Sequence, residues 1–258
     1  MQKFSHQELK EFLESKFIYY NNPSFVKNDP ILIPHSFSKK EDQEIAGFLT
    51  AVISWGKRKA IINSGMRFIQ WMDNDPSGFV KNFSAGELNR FNHFVHRTFN
   101  SDDCKYFLAA LKHIYLELGG LEKLFIECLN VHNDEILLAI SDFRKRFFQW
   151  QHLKRSEKHL GDPIKNSTAK RFLMFLRWMV RKDGRGVDFG IWNISPSQLA
   201  IPLDVHSARV ARKLGLLTRS QNDWKAVIEL TNKLREFDAN DPVKYDFALF
   251  GLGVNEQF

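Results

Sequence analysis

The sequence predicts an all-α fold, and three observations carry that expectation. Capping boxes recur along the chain, apolar residues return at helical spacing, and no segment alternates as a half-buried strand must. Ser5-x-x-Glu8, Ser38-x-x-Glu41 and Ser84-x-x-Glu87 each pair a serine that can accept from an early helical N–H with a glutamate that can reach back. Asn21 to Phe37, punctuated by prolines, reads as an extended connection. Ile45, Phe48, Leu49, Val52 and Ile53 form one apolar stripe, and Phe107, Leu108, Leu111, Ile114 and Tyr115 form another. Further helices are predicted near 59–73, 134–150, 167–182, 205–214, 222–236 and 242–250, with Gly215 as a C-cap and Pro242 in a first turn. No repeat or flexible linker interrupts them. The expectation is a single compact unit over 1–258, a two-lobed bundle with lobes of about 38–165 and 1–37 plus 166–258.

With 258 residues, 43% of them hydrophobic, 24 Phe and 6 Trp, the chain can fill a sizeable core. It has no uninterrupted apolar run of about eighteen residues, and Met1 to Lys10 is polar without a signal pattern, so the expected location is cytoplasmic with no membrane partner. Cys104 and Cys128 are too few and too far apart for a disulfide framework, a four-cysteine zinc site or an iron–sulfur cluster, and each reads as a small buried apolar residue. No metal or other cofactor is expected.

The formal net charge is +7, and its distribution says more than its size. Between Lys154 and Arg185 stand ten lysines and arginines against Glu157, Asp162 and Asp183, so this one segment carries the whole excess. A phosphate-facing surface would look like this, and so would a solvated helix face.

Two residues in and after that segment could carry chemistry. Lys170 lies within the helix Ser167-Thr-Ala-Lys-Arg-Phe-Leu-Met-Phe-Leu-Arg-Trp-Met-Val-Arg181, with Leu173 and Met174 a turn on and Arg177 and Arg181 beyond. Apolar surface and neighbouring cations both favour a neutral, nucleophilic amine, although a plain helix-start lysine with a hydrated head fits the same pattern. Asp204 immediately precedes an amphipathic helix. It reads as an N-cap, and an ionised carboxylate held there is also a fixed negative charge that can stabilise a cationic transition state.

The run Pro202-Leu-Asp-Val-His-Ser-Ala-Arg-Val-Ala-Arg-Lys-Leu-Gly-Leu216 resembles the signature carrying the catalytic aspartate of the helix-hairpin-helix DNA glycosylase superfamily, and Asp204 stands at that aspartate's position. Asp42-Gln-Glu-Ile-Ala-Gly-Phe-Leu-Thr-Ala-Val-Ile-Ser54 is similar to the family's first core helix, which would make Trp55, Lys57, Arg58 and Lys59 a DNA-contacting loop. The glycine hairpin that normally precedes the family's lysine is absent before Lys170, and the interval of 34 positions to Asp204 is longer than usual. The resemblance therefore implies a hairpin variant, distantly similar to the archaeal 8-oxoguanine DNA glycosylases, whose lysine motif is similar to Ser167-Thr-Ala-Lys170. The whole chain also resembles a set of bacterial proteins grouped as a domain of unknown function, which share the Lys170–Arg181 and Asp241–Leu249 patterns.

The resemblance implies a base-excision repair glycosylase that binds double-stranded DNA containing a damaged base or abasic site, as a nucleoid-associated monomer without an iron–sulfur cluster. Asp204 would stabilise positive charge at C1′ as the N-glycosidic bond breaks, and Lys170 would attack C1′ to form a Schiff base, with strand nicking to follow. Lys165, Arg171, Arg177, Arg181 and Lys182 would contact phosphates. Trp178 and Trp192 would stack on a flipped base, with Tyr245 and Asp246 within reach of its pocket. The alternatives are a non-catalytic DNA- or RNA-binding protein on the same fold, and a helical scaffold for an acidic protein partner.

Overall fold

The computed structural model of the chain describes residues 4–256 and 258, and among these it is all-α, with one isolated bridge between His96 and Phe99. In chain order the α-helices are α1 (His6–Tyr20), α2 (Pro23–Val26), α3 (Lys40–Ile53), α4 (Arg58–Gln70), α5 (Pro76–Asn82), α6 (Ser101–Glu117), α7 (Leu121–Val131), α8 (Ile136–Phe147), α9 (Lys170–Val180), α10 (Val205–Lys213), α11 (Trp224–Arg235) and α12 (Tyr245–Asn255). No helix among the described residues is long and apolar enough to cross a membrane. The chain divides into two compact units, one of residues to Phe25 with Asp162–Phe258 and the other of Val26–Gly161.

In the first unit α12 is the central helix. Eight of its residues are buried, including Phe247, Leu249 and Leu252, so it is apolar around most of its circumference, as a helix covered on all sides must be. It packs against α1 and α10. Gly251 makes the first contact possible, because a Cβ there would lie 2.2 Å from the Tyr20 ring. In the second unit α3 has the same role, buried from Glu44 to Ile53, and packs against α4 and α5. Around it Phe48, Phe107 and Phe147 pack with ring centroids 4.9–6.2 Å apart, and Phe143 closes the cluster.

The caps divide into one that forms as expected and two that do not. Ser5 and Glu8 make the full reciprocal box at α1. At α3 the helix starts at Lys40 with no side-chain cap, because Glu41 turns to Lys81 Nζ at 2.6 Å and Lys39 Nζ at 3.5 Å. Ser84 donates its N–H and its hydroxyl to one oxygen of Glu87, both at 2.8 Å, and this half-box opens a 3-10 turn over Glu87–Phe91. Asn21 to Phe37 is not extended. It folds into α2 and two 3-10 turns, Pro30–Leu32 and Pro34–Ser36, because each proline occupies a first helical position, where its missing N–H is no loss.

Cys104 and Cys128 are free and buried in the second unit, and burial pushes both thiols up, Cys128 to about 12. Neither is a nucleophile at neutral pH. Also in that unit, buried Asp103 accepts from Ser156 Oγ at 2.6 Å and Arg155 Nη1 at 2.7 Å and meets His159 Nε2 at 3.1 Å, tying the chain after α8 back to α6.

Candidate functional site

Residues 166 to 170 approach α9 through two left-handed backbone positions, Asn166 at φ 62° and Ala169 at φ 47°. For alanine this conformation is strained, and it sits directly before Lys170. Beyond it, Phe172, Leu173, Phe175 and Leu176 go into the core, which leaves Lys170 half-buried at the helix start.

Asp204 caps α10. Its Oδ1 accepts from His206 N at 2.8 Å and Ser207 N at 2.9 Å, while Oδ2 lies 3.6 Å from Lys170 Nζ. One oxygen therefore fixes the helix start and the other faces the amine, so capping leaves half of the carboxylate for chemistry. The two side chains are 27% and 19% exposed, open enough for a ligand to reach the pair. Asp246, on α12, is buried, bonds Arg177 and feels both charges. Burial pushes it up to about 6, against the pull of Arg177 and Lys170, and the charge of Asp204 adds to the rise.

The arginines further along α9 do not face phosphate. Arg177 Nε is 3.3 Å from Asp188 and its Nη1 bonds Asp246, while the guanidinium lies 4.2 Å from the Phe247 ring centroid. Arg181 Nη1 meets Asp188 at 3.0 Å, and its Nη2 and Nε reach Asp183 and Asp241, each at 2.8 Å. Both residues are buried, 4% and 1% exposed. The phosphate-contact expectation for Arg177 and Arg181 is corrected: their spacing of four places both guanidinium groups inside the first unit, where aspartates occupy their donors. Arg171 is half-buried, and desolvation brings it down to about 10, so it too differs from a solvent-facing phosphate contact. Lys165 and Lys182 are exposed. The basic segment is also divided, since Lys154, Arg155 and Lys158 belong to the second unit and the other seven cations to the first.

The aromatic base-pocket expectations change as well. Trp178 is fully buried, and Trp192, 4% exposed, packs edge-on against Phe175 at 5.3 Å, so neither offers a ring face to a base. Tyr245 is fully buried and donates to Glu14 Oε1 at 2.6 Å. Core packing claims all three. Asp246 is joined to Arg177 and nearly sealed, so of this group it alone shares an electrostatic environment with Lys170 and Asp204.

Trp55, Lys57, Arg58 and Lys59 lie in the second unit, at the start of α4. Lys57 and Lys59 are exposed, Arg58 is half-buried, and the half-buried Trp55 ring lies 4.7 Å below the guanidinium of Arg97. Arg97 and the aspartates 183, 188 and 241 were not expected as participants. They sit in irregular segments with no periodic signal, and the one readable hint for Arg97 is that residues 88–101 contain no acid. Among the described residues no group of three His, Cys, Asp or Glu side chains could hold a metal ion.

The sequence model of one family, described as a protein of unknown function (DUF2400), matches residues 29–255. No curated protein and no solved structure matches the chain.

Proposed function

The chain belongs to the DUF2400 family, and from the Lys170–Asp204 pair we propose that it is a DNA-binding base-excision glycosylase. It would cleave the N-glycosidic bond of a damaged base, an oxidised purine such as 8-oxoguanine being the favoured class. The observation that carries this reading is the meeting of an amine and a capped carboxylate at 3.6 Å, from residues 34 positions apart, with both still reachable from solvent.

In the mechanism, the base leaves C1′ with the electrons of the glycosidic bond, and the negative charge of Asp204 Oδ2 stabilises the cationic sugar. Lys170 gives up a proton to solvent while Asp204 stays ionised, and the lone pair left on Nζ attacks C1′. Ring opening yields the Schiff base, and loss of the 2′ proton then expels the 3′ phosphate by β-elimination. The departing base takes up a proton from solvent. Buried Asp246 acts by holding Arg177 and setting the field around the pair. The partner would be double-stranded DNA bound by a monomer.

The test is excision from labelled duplexes containing 8-oxoguanine or an abasic site. Wild type should release base and nick the strand, Asp204→Asn should do neither at a comparable rate, and Lys170→Ala should lose the nick. A second reading, a DNA- or RNA-binding protein without chemistry, rests on the missing glycine hairpin. It requires binding by wild type with no release or nicking.

A further inference from the structure

We infer that the cationic surface formed by Lys57, Lys59, Arg67 and Arg97 in the second unit grips the phosphate backbone of duplex DNA, with the Arg97–Trp55 contact as its anchor. The inference rests on the DNA-binding part of the function proposed above, and it moves the main phosphate contacts away from the segment between Lys154 and Arg185.

Two stretches without a single Asp or Glu, residues 55–72 and 88–101, meet here. His96 joins them, with Nδ1 at 2.9 Å from Ser64 Oγ and Nε2 at 3.3 Å from the Trp55 carbonyl oxygen. Arg67 donates to the Val95 carbonyl at 3.2 Å, and Arg97 covers the Trp55 ring. Burial lowers the His96 pKa, and the nearby charges of Arg97 and Arg67 lower it further. Lys57, Lys59, Arg67 and Arg97 are all exposed, and none of them is in an ion pair with a carboxylate among the described residues.

This arrangement breaks two local rules. The positive end of a helix favours acids, yet α4 begins with Lys57, Arg58 and Lys59, has no acid in its first turn and no side-chain cap. Cations also repel one another when no carboxylate lies between them, and Lys59 and Arg67 share one face of α4. An external polyanion relieves both penalties at once.

The backbone is shaped to hold Arg97. The reversal His96–Phe99, closed by bonds of 2.8 and 3.0 Å, puts Arg97 in the left-handed region at φ 56°. Gly56, at φ 110°, lets the guanidinium approach, since a Cβ there would lie 2.8 Å from Arg97 Nη1. The guanidinium carbon lies 4.7 Å from the Trp55 ring centroid, within cation–π range, and its N–H groups can donate to phosphate oxygens. Duplex DNA fits better than a small anion, because the cations are spread over α4 and the 96–99 reversal and do not converge on one point.

The test is fluorescence anisotropy with a short labelled duplex free of lesions, titrated between about 50 and 200 mM salt. We expect Lys57→Ala/Lys59→Ala/Arg97→Ala to reduce the slope of log affinity against log salt by about 2 to 3 and to weaken binding at least tenfold at the low end. The charge-matched control Lys27→Ala/Lys145→Ala/Lys225→Ala, at other exposed positions, should keep the wild-type slope. Equal losses in the two triple variants, or no loss in either, would overturn the inference. Tighter competition by an RNA duplex of the same length would overturn the assignment to DNA. Failure of the glycosylase reading shows separately, as wild type that binds with the expected slope but never excises.

Discussion

At the start of α9, Lys170 faces Asp204 across 3.6 Å with both side chains open to solvent, while two turns later Arg177 and Arg181 are sealed among four aspartates. The chemistry is the same, a cation against a carboxylate on one helix, and the surroundings are opposite. In the sealed network nearly every donor has a fixed acceptor, and removal of one member strands the others without water. In the open pair one carboxylate oxygen is occupied by backbone and the other has a single partner that a substrate can displace. What separates the open pair from the sealed network is what remains unoccupied.

The largest way to break that contrast is Arg181→Ala. It leaves Asp183, Asp188 and Asp241 facing one another around a void and should destabilise the chain by about 3–5 kcal/mol, read by urea unfolding. A loss comparable to a surface substitution would mean that the network is not sealed. Next, Asp204→Asn should slow excision by about a hundredfold or more, the scale of losing one preorganised electrostatic group, and leave stability nearly unchanged because asparagine caps as well as aspartate. Parallel losses of activity and stability would return Asp204 to a purely structural role.

Asp246 stands between the two regions and gives a pH signature. Its folded-state pKa, about 6, is above the ordinary aspartate value, so the neutral form is the one folding favours. Its contribution is fully present below the ordinary aspartate range and is lost as pH rises through about 6. The stability of wild type relative to Asp246→Asn should therefore decline between about pH 4 and pH 7, and two parallel unfolding curves would contradict it. The smallest effect is expected of Lys182→Ala, an exposed position, which should shift stability by less than about 0.5 kcal/mol.

Local signals explain which features were legible in the sequence. Ser5 and Glu8 are three positions apart and need nothing else to make a cap, and Asp204 before an amphipathic helix reads as a cap for the same reason. The helix near 205–214 is found at Val205–Lys213, and that near 222–236 at Trp224–Arg235. What stayed hidden depended on partners far along the chain. Arg177 and Arg181 look like surface cations until Asp188, Asp241 and Asp246 arrive from a loop, a 3-10 cap and α12. Ser38 fails as a cap because Lys81, on α5, takes Glu41. Trp178 and Trp192 illustrate the remaining limit, since a tryptophan that stacks on a base and one that fills a core have the same local sequence. The Lys170–Asp204 pairing was suggested by family resemblance; periodicity alone would not have joined two residues 34 positions apart.

The most direct test of the central claim is to trap the chain on an abasic duplex with borohydride and locate the adduct by mass spectrometry. The expected result is a single covalent adduct at Lys170, absent from Lys170→Ala and diminished in Asp204→Asn. No adduct with wild type, or an adduct on another lysine that persists in Lys170→Ala, would contradict it.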